Sequence, residues 1–348
     1  MKPSQLLEVL KIGIPKQRAF LLVSSPGVGK TDIGKQASAA VDYECQIFHP
    51  VTSDPTDFKG MPWVYVKDKS QTPSAEFIPF GDLRRLLETK KPTLAFLDDL
   101  GQATPLVQAA TMQLLLARRI NNHIVPDHVT FLAATNRRQD RAAVSGVLEP
   151  VKSRFMSILN LEVDVEDWLT WAARENIPPV VRAFIRWKPD LLHDFNPTGD
   201  MTNSPSPRTV AHVAELYDDK YPAEIEYDLY TGAAGEGFAT EFLAFAKIFR
   251  SLPNPKLAIQ DPDSVEFGTE PDILYAFCGA VANLANDQNM DNVVKLADKM
   301  ADPDEFPDST ARGEFAVLLI RDAIKHDPEI QNTRAYIEWQ SRNSGVLI

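Results

Sequence analysis

The sequence predicts an α/β fold, a parallel sheet covered on both faces, followed by an all-helical region. Three observations carry that expectation. Short apolar runs of strand length alternate with helical stretches through residue 135, the first run ends in a glycine-rich loop that opens a helix, and the strand signal fades after Leu161.

Residues 4–12 (SQLLEVLKI) set apolar side chains at helical spacing, and residues 19–25 (AFLLVSS) form a short apolar run stopped by Pro26-Gly27. That run reads as a buried strand entering a loop. Small, helix-compatible residues continue from Thr31 to Val41, so strand, glycine loop and helix follow in order. Residues 45–48 (CQIF), 93–100 (TLAFLDDL) and 129–135 (VTFLAAT) repeat the strand signal, with helical patterns at 83–89 (LRRLLET) and 106–119 (LVQAATMQLLLARR) between them. Apolar strands alternating with helices are the pattern of a parallel sheet buried on both faces. Beyond residue 160 the segments VEDWLTWAARE, VVRAFIRW, PRTVAHVAELYDD, ATEFLAFAKIFRSL, EPDILYAFCGAVANLA and NVVKLADKM are helical, interrupted by a Pro/Gly/Asn-rich loop over 196–207. The expected organisation is an α/β domain over residues 1–160, a helical segment over 161–215 and an acidic helical extension over 216–348.

Composition narrows the function classes. Of the 348 residues 44% are hydrophobic and 24% charged, the balance of a folded chain of about two domains. Residues 1–160 hold 20 basic and 15 acidic side chains against 16 and 33 beyond, so formal charges of +5 and −17 make up the total of −12. Phosphate chemistry therefore belongs to the first part, while the acidic second part repels a nucleic-acid backbone. Cys45 and Cys278 lie far apart in apolar surroundings without a C-x-x-C pattern, which points to core thiols in a reducing compartment. The first residues lack a signal-type apolar segment and no stretch reaches eighteen apolar residues, so the expected location is the cytoplasm.

Two motifs carry chemistry. Ser24-Ser25-Pro26-Gly27-Val28-Gly29-Lys30-Thr31 matches the phosphate-binding Walker A loop at every position but the first, where Ser24 replaces glycine. Gly27 and Gly29 let the backbone N–H groups of the loop turn toward phosphates, with Ser25, Val28 and Pro26, which has no N–H to donate, shaping the rest of the cradle. Lys30 reaches the β and γ oxygens, and the Thr31 hydroxyl ligates Mg²⁺ at a helix N-terminus. The strand at 93–97 delivers Asp98 to the same metal at the carboxyl end of the sheet, where parallel sheets bind ligands. ATP and Mg²⁺ are thus the expected cofactors. Asp99 stands where a water-activating Glu is usual. It is shorter by one methylene, about 1.5 Å of reach, and a misplacement of that size costs on the order of 100-fold in rate. Slow hydrolysis is the expectation.

With these motifs in place, residues 19–215 resemble the MoxR-like branch of AAA+ ATPases. Ala133-Ala134-Thr135-Asn136 resembles the strand that ends in the sensor-1 Asn, which implies that Asn136 holds the attacking water or the γ-phosphate. Val151-Lys152-Ser153-Arg154-Phe155 resembles the S-R-F segment, which implies that Arg154 reaches into a neighbouring subunit's site. Ser206-Pro207-Arg208-Thr209 resembles sensor 2, placing Arg208 on the phosphates in cis. Arg137, Arg138 and Arg141 read as a basic surface cluster. Residues 54–80 and 118–130 resemble the clade's two inserted hairpins, which implies that segments 67–74 and 121–127 face a ring pore and touch a client. His123 and His128 have no further His or Cys nearby to complete a zinc site. The resemblance implies an AAA+ domain with a five-stranded parallel sheet and a helical lid over 161–215. It also implies a ring of copies of this chain, hexameric by analogy, and a von Willebrand factor A domain partner or other protein client. An ATP-gated scaffold with weak hydrolysis and a nucleic-acid motor are the competing readings. Residues 216–348 carry no motif, and Phe238, Phe242, Phe245, Phe249, Tyr275 and Phe277 read as packed core.

Overall fold

A computed structural model describes residues 1–65, 74–140, 146–196, 201–218, 220–252, 254–267, 270–302 and 312–343. Nearly all of the expected client segment 67–74, and Arg141 of the basic cluster, lie outside the described residues. The chain forms two compact units, Met1–Asp164 and Val165–Ile348.

Among its described residues the first unit holds nine strands: β1 (Phe20–Ser24), β2 (Glu44–Phe48), β3 (Met61–Tyr65), β4 (Ser74–Ile78), β5 (Thr93–Leu97), β6 (Arg119–Ile120), β7 (His123–Ile124), β8 (Val129–Asn136) and β9 (Ser157–Asn160). Five make one sheet in the order β2-β5-β8-β1-β9, and every neighbouring pair is parallel. The strand period of two sorts the apolar residues to opposite faces. Phe20, Leu22, Leu94, Phe96, Leu132 and Ala134 pack with Leu6, Leu10, Ile33 and Ala37 on one face. Leu21, Ala95, Leu97, Phe131 and Ala133 pack with Leu83, Leu86, Val107 and Leu114 on the other. Helix Lys30–Ala40 comes so close to the sheet that a Cβ on Gly34 would lie 2.8 Å from Phe96 Cε2, so only glycine fits there.

The fifth strand, β9, is too short and too polar for an apolar-run reading to locate. Its four residues alternate in burial at the sheet edge, beside β1. The segments read as two hairpins contain antiparallel strand pairs, β3 with β4 and β6 with β7. They meet through Asn121 Nδ2, which donates to the Lys59 carbonyl at 2.8 Å, and through His123 Nε2, 2.7 Å from the Phe77 carbonyl. His128 Nε2 lies 3.1 Å from both the carbonyl and the hydroxyl of Thr89. Each ring therefore has a local partner that explains its position.

Among the described residues of the second unit every regular element is a helix, from Val165–Arg174 to Arg334–Arg342. It takes in both the segment expected as a lid and the acidic extension. Phe184, Phe238, Phe242, Phe245 and Tyr230 form an aromatic core with ring centroids 5.3–5.9 Å apart, mostly edge-on as ring quadrupoles favour. Phe249 is only half-buried at its margin. A second cluster gathers Phe277, Leu296, Leu319 and Trp339. Arg186 joins Glu166 to Asp322, and Lys325 also pairs with Glu166. Burial alone would raise the Glu166 carboxyl, but the Lys325 hydrogen bond and the Arg186 and Lys325 charges bring it below the usual range. Both cysteines are free, and burial pushes each thiol up, so they stay protonated.

Candidate functional site

Parallel strands end at the same edge, and the register of this sheet brings the motif residues there. Ser24, the last residue of β1, is the Cα partner of Asn136, the last of β8. Leu97, which ends β5, pairs with Ala133, so Asp98 and Asp99 emerge beside Asn136. The glycine loop leaves β1 at this edge, and Val28 sinks into the core to pin it. Gly29 caps helix Lys30–Ala40 at φ 94° and ψ 22°, a backbone region that costs a residue with a Cβ but not glycine. The first N–H groups of that helix have no intrahelical acceptor and carry its positive dipole end.

Side chains close the arrangement. Lys30 is 7% exposed. Its Nζ donates to Asn136 Oδ1 at 2.6 Å, Ser24 Oγ at 3.1 Å and the Ser25 carbonyl at 3.2 Å. Asn136 Nδ2 in turn donates to Asp99 Oδ1 at 3.3 Å. Thr31 Oγ1 donates to Asp98 Oδ2 at 2.7 Å, and Asp98 Oδ1 accepts the Asp99 backbone N–H at 3.1 Å. The oxygen pair Thr31–Asp98 beside a lysine is a hard donor set that suits Mg²⁺ with phosphate oxygens completing its shell. Loop, helix terminus and donor set therefore fit a magnesium nucleotide. Arg137 extends the β1–β8 ladder by donating its backbone N–H to the Ser24 carbonyl at 3.2 Å.

Arg154 follows the short helix Glu149–Lys152 and lies between buried Val151 and Phe155, half-exposed, with its guanidinium donating to the Pro150 carbonyl. It belongs to the first unit but is not among the groups hydrogen-bonded at the loop. Arg208 belongs to the second unit. Ser206 and Thr209 make a capping box that starts helix Pro207–Leu216, leaving Arg208 exposed in its first turn.

Two residues escaped the sequence reading. Ser24 looked like a mild departure from a motif, and its hydroxyl contacts the lysine of that motif. Gln108 is one of three polar residues in helix Pro105–Ala117, with Thr111 and Gln113, and it is fully buried. Its Nε2 donates to the Ala103 and Gly146 carbonyls at 3.1 and 3.0 Å, while Oε1 accepts the Leu148 N–H at 2.9 Å. It thereby ties the segment leading to Arg154 onto helix Pro105–Ala117.

A five-stranded parallel sheet in this order, with the lysine loop after β1 and acids at the end of β5, is an α/β P-loop fold of the AAA+ type, followed here by a helical region. Among solved structures the chain is similar to RuvB of Thermotoga maritima, a Holliday junction branch migration motor, at 13% identity and a TM-score of 0.41 over 80% of each chain. It is also similar to NtrX of Brucella abortus, solved in complex with ADP, at 12% identity and a TM-score of 0.40 over 81% of this chain and 63% of that one. No protein-family model and no curated protein matches the sequence. Likeness at these levels says nothing of activity, so the chemistry rests on the chain's own residues. No helix among the described residues is long and apolar enough to cross a membrane.

Proposed function

We propose that this chain binds Mg²⁺-ATP at residues 24–31 and hydrolyses it slowly, as a MoxR-like AAA+ ring protein that remodels a protein client or assists metal or cofactor insertion or complex assembly. One observation carries the nucleotide half: the Lys30 ammonium, Thr31 hydroxyl, Asp98 and Asp99 carboxylates and Asn136 amide converge at one sheet edge in a hydrogen-bonded set. Such a set costs desolvation and backbone strain that a purely structural turn has no need of. Lys30 and the loop N–H groups bind the β and γ oxygens. Thr31 and Asp98 hold Mg²⁺, which neutralises phosphate charge when bound. Asp99 takes the proton of the attacking water on a carboxylate oxygen, and Asn136 orients that water. Arg154 stabilises charge on the transferring group of the neighbouring subunit's ATP, and Arg208 does so in cis.

The client half rests on the resemblance of the motifs and hairpins, and a von Willebrand factor A domain protein is the partner it suggests first. A nucleotide-gated scaffold is the second reading, favoured by the short acid at Asp99. A nucleic-acid motor, the activity of the RuvB neighbour, is disfavoured by the charge of −17 beyond residue 160, and salt-dependent DNA binding would reinstate it. The deciding experiment for the nucleotide site is Mg²⁺-ATP titration of the wild type and Lys30→Ala, with thermal unfolding as the fold control. The variant should remain folded and lose tight binding, by about 100-fold or more. Equal affinity in a folded Lys30→Ala protein overturns the assignment.

A further inference from the structure

Ser24 is the one position at which the loop departs from its pattern, and its side chain is 0% exposed at the end of β1. A buried hydroxyl is retained only where it has partners. Here Oγ–H donates to the Ser25 carbonyl at 2.8 Å, which commits the proton and turns a lone pair to Lys30 Nζ at 3.1 Å. The Ser25 carbonyl receives the same ammonium at 3.2 Å and Asn136 Oδ1 receives it at 2.6 Å. An ammonium has three protons, so a phosphate oxygen can be engaged only by redirecting one of them.

We propose that Ser24 is a positioning residue for the phosphate-binding lysine: with the Ser25 carbonyl it forms a fixed seat for Nζ, and the proton directed at Asn136 is the one exchanged for a phosphate oxygen. The inference rests on the nucleotide reading of the loop. Two features make Ser24 and Ser25 the fixed side. They are adjacent residues of the loop that carries Lys30, and the Ser24 hydroxyl is itself locked by its bond to Ser25. Asn136 comes from another strand, and its amide keeps a second partner in Asp99 when its carbonyl oxygen gives up the lysine. Glycine at position 24 supplies no side-chain acceptor, so this chain has added by substitution a contact that the general pattern lacks. The seat sets how far Nζ extends toward the γ oxygen, and its loss should be felt more by a triphosphate than by a diphosphate.

The test compares ATP and ADP affinities of the wild type, Ser24→Ala, Ser24→Gly and Ser24→Thr, with unfolding temperatures measured in parallel. The Ala and Gly variants should stay folded and bind ATP about tenfold more weakly, the scale of one lost hydrogen bond to a charged group. ADP affinity should fall by less, and Thr, which keeps the hydroxyl, should retain ATP affinity closer to wild type than Ala does. A purely structural serine would lower the unfolding temperature and weaken ATP and ADP equally, which overturns the proposal. Unchanged or tighter ATP binding in folded Ala and Gly variants also overturns it while leaving the nucleotide site standing. A wild type that binds no ATP removes the nucleotide reading and this inference together.

Discussion

Asp99 sits at φ 55° and ψ 33°, in the left-handed region that Asp and Asn tolerate better than longer side chains. Its carboxylate is held by Asn136 rather than projected freely, so both the length of the acid and the local backbone bear on hydrolysis. Lengthening the side chain adds about 1.5 Å of reach at a conformational cost of about 1 kcal/mol. Asp99→Glu should therefore lower the unfolding midpoint slightly, leave ATP affinity unchanged and raise turnover, by up to about 100-fold if reach is the limit. Steady-state phosphate release checks this. A slower variant would mean that the turn is built around the shorter acid and would overturn the expectation of slow hydrolysis, whereas a faster one would support the scaffold reading of the native protein.

At the scale of elements, the short helix before Arg154 has too few internal bonds to hold its own position and borrows it from helix Pro105–Ala117 through Gln108. The 3-10 turn Leu100–Gln102, just after Asp99, is tied to the same segment by the Gly146 N–H donating to the Gly101 carbonyl at 3.2 Å. The strand-end acids and the candidate finger thus share one hydrogen-bonded connection. Gln108→Leu keeps the volume but strands two carbonyls and an N–H, each worth about 1–3 kcal/mol when buried without a partner. The variant should be destabilised by several kcal/mol in denaturant melts. Under conditions where it remains folded, ATP affinity should be near wild type and kcat reduced. A loss of affinity with kcat intact would place Gln108 with the phosphate loop instead of with Arg154.

For the whole molecule the decisive question is whether Arg154 acts between subunits. Arg154→Ala should bind ATP normally and lose about 10³-fold in turnover, because the charge matters chiefly while the γ-phosphoryl group is in flight. Lys30→Ala subunits lack the loop lysine but keep Arg154. Mixing the two under exchange conditions at saturating ATP should restore hydrolysis at interfaces that pair an intact loop with an intact arginine. Mixed assemblies without recovered turnover would rule out a role in trans. A chain that stays monomeric with ATP at high concentration would remove the ring altogether.

How much of this was legible beforehand differs by residue. Lys30, Thr31 and Asp98 could be placed together because strand periodicity, the glycine loop and parallel-sheet geometry are local rules whose product is a common edge, while Asn136 was singled out only by the resemblance of its strand end to a family motif. β9 was not located, since four residues of alternating burial at a sheet edge carry too little apolar signal. Ser24 and Gln108 were missed for a different reason. Each matters through a partner six to forty residues away, and no local pattern encodes which backbone group a buried hydroxyl or amide will satisfy. The sequence by itself determined the α/β order, the phosphate loop and the acid-ended strand, because those depend on near-neighbour chemistry. Only the tertiary structure decided that Lys30 is seated by Ser24, that Asn136 bridges Lys30 and Asp99, and that Gln108 anchors the segment before Arg154, because long-range packing chooses the partners of buried polar groups.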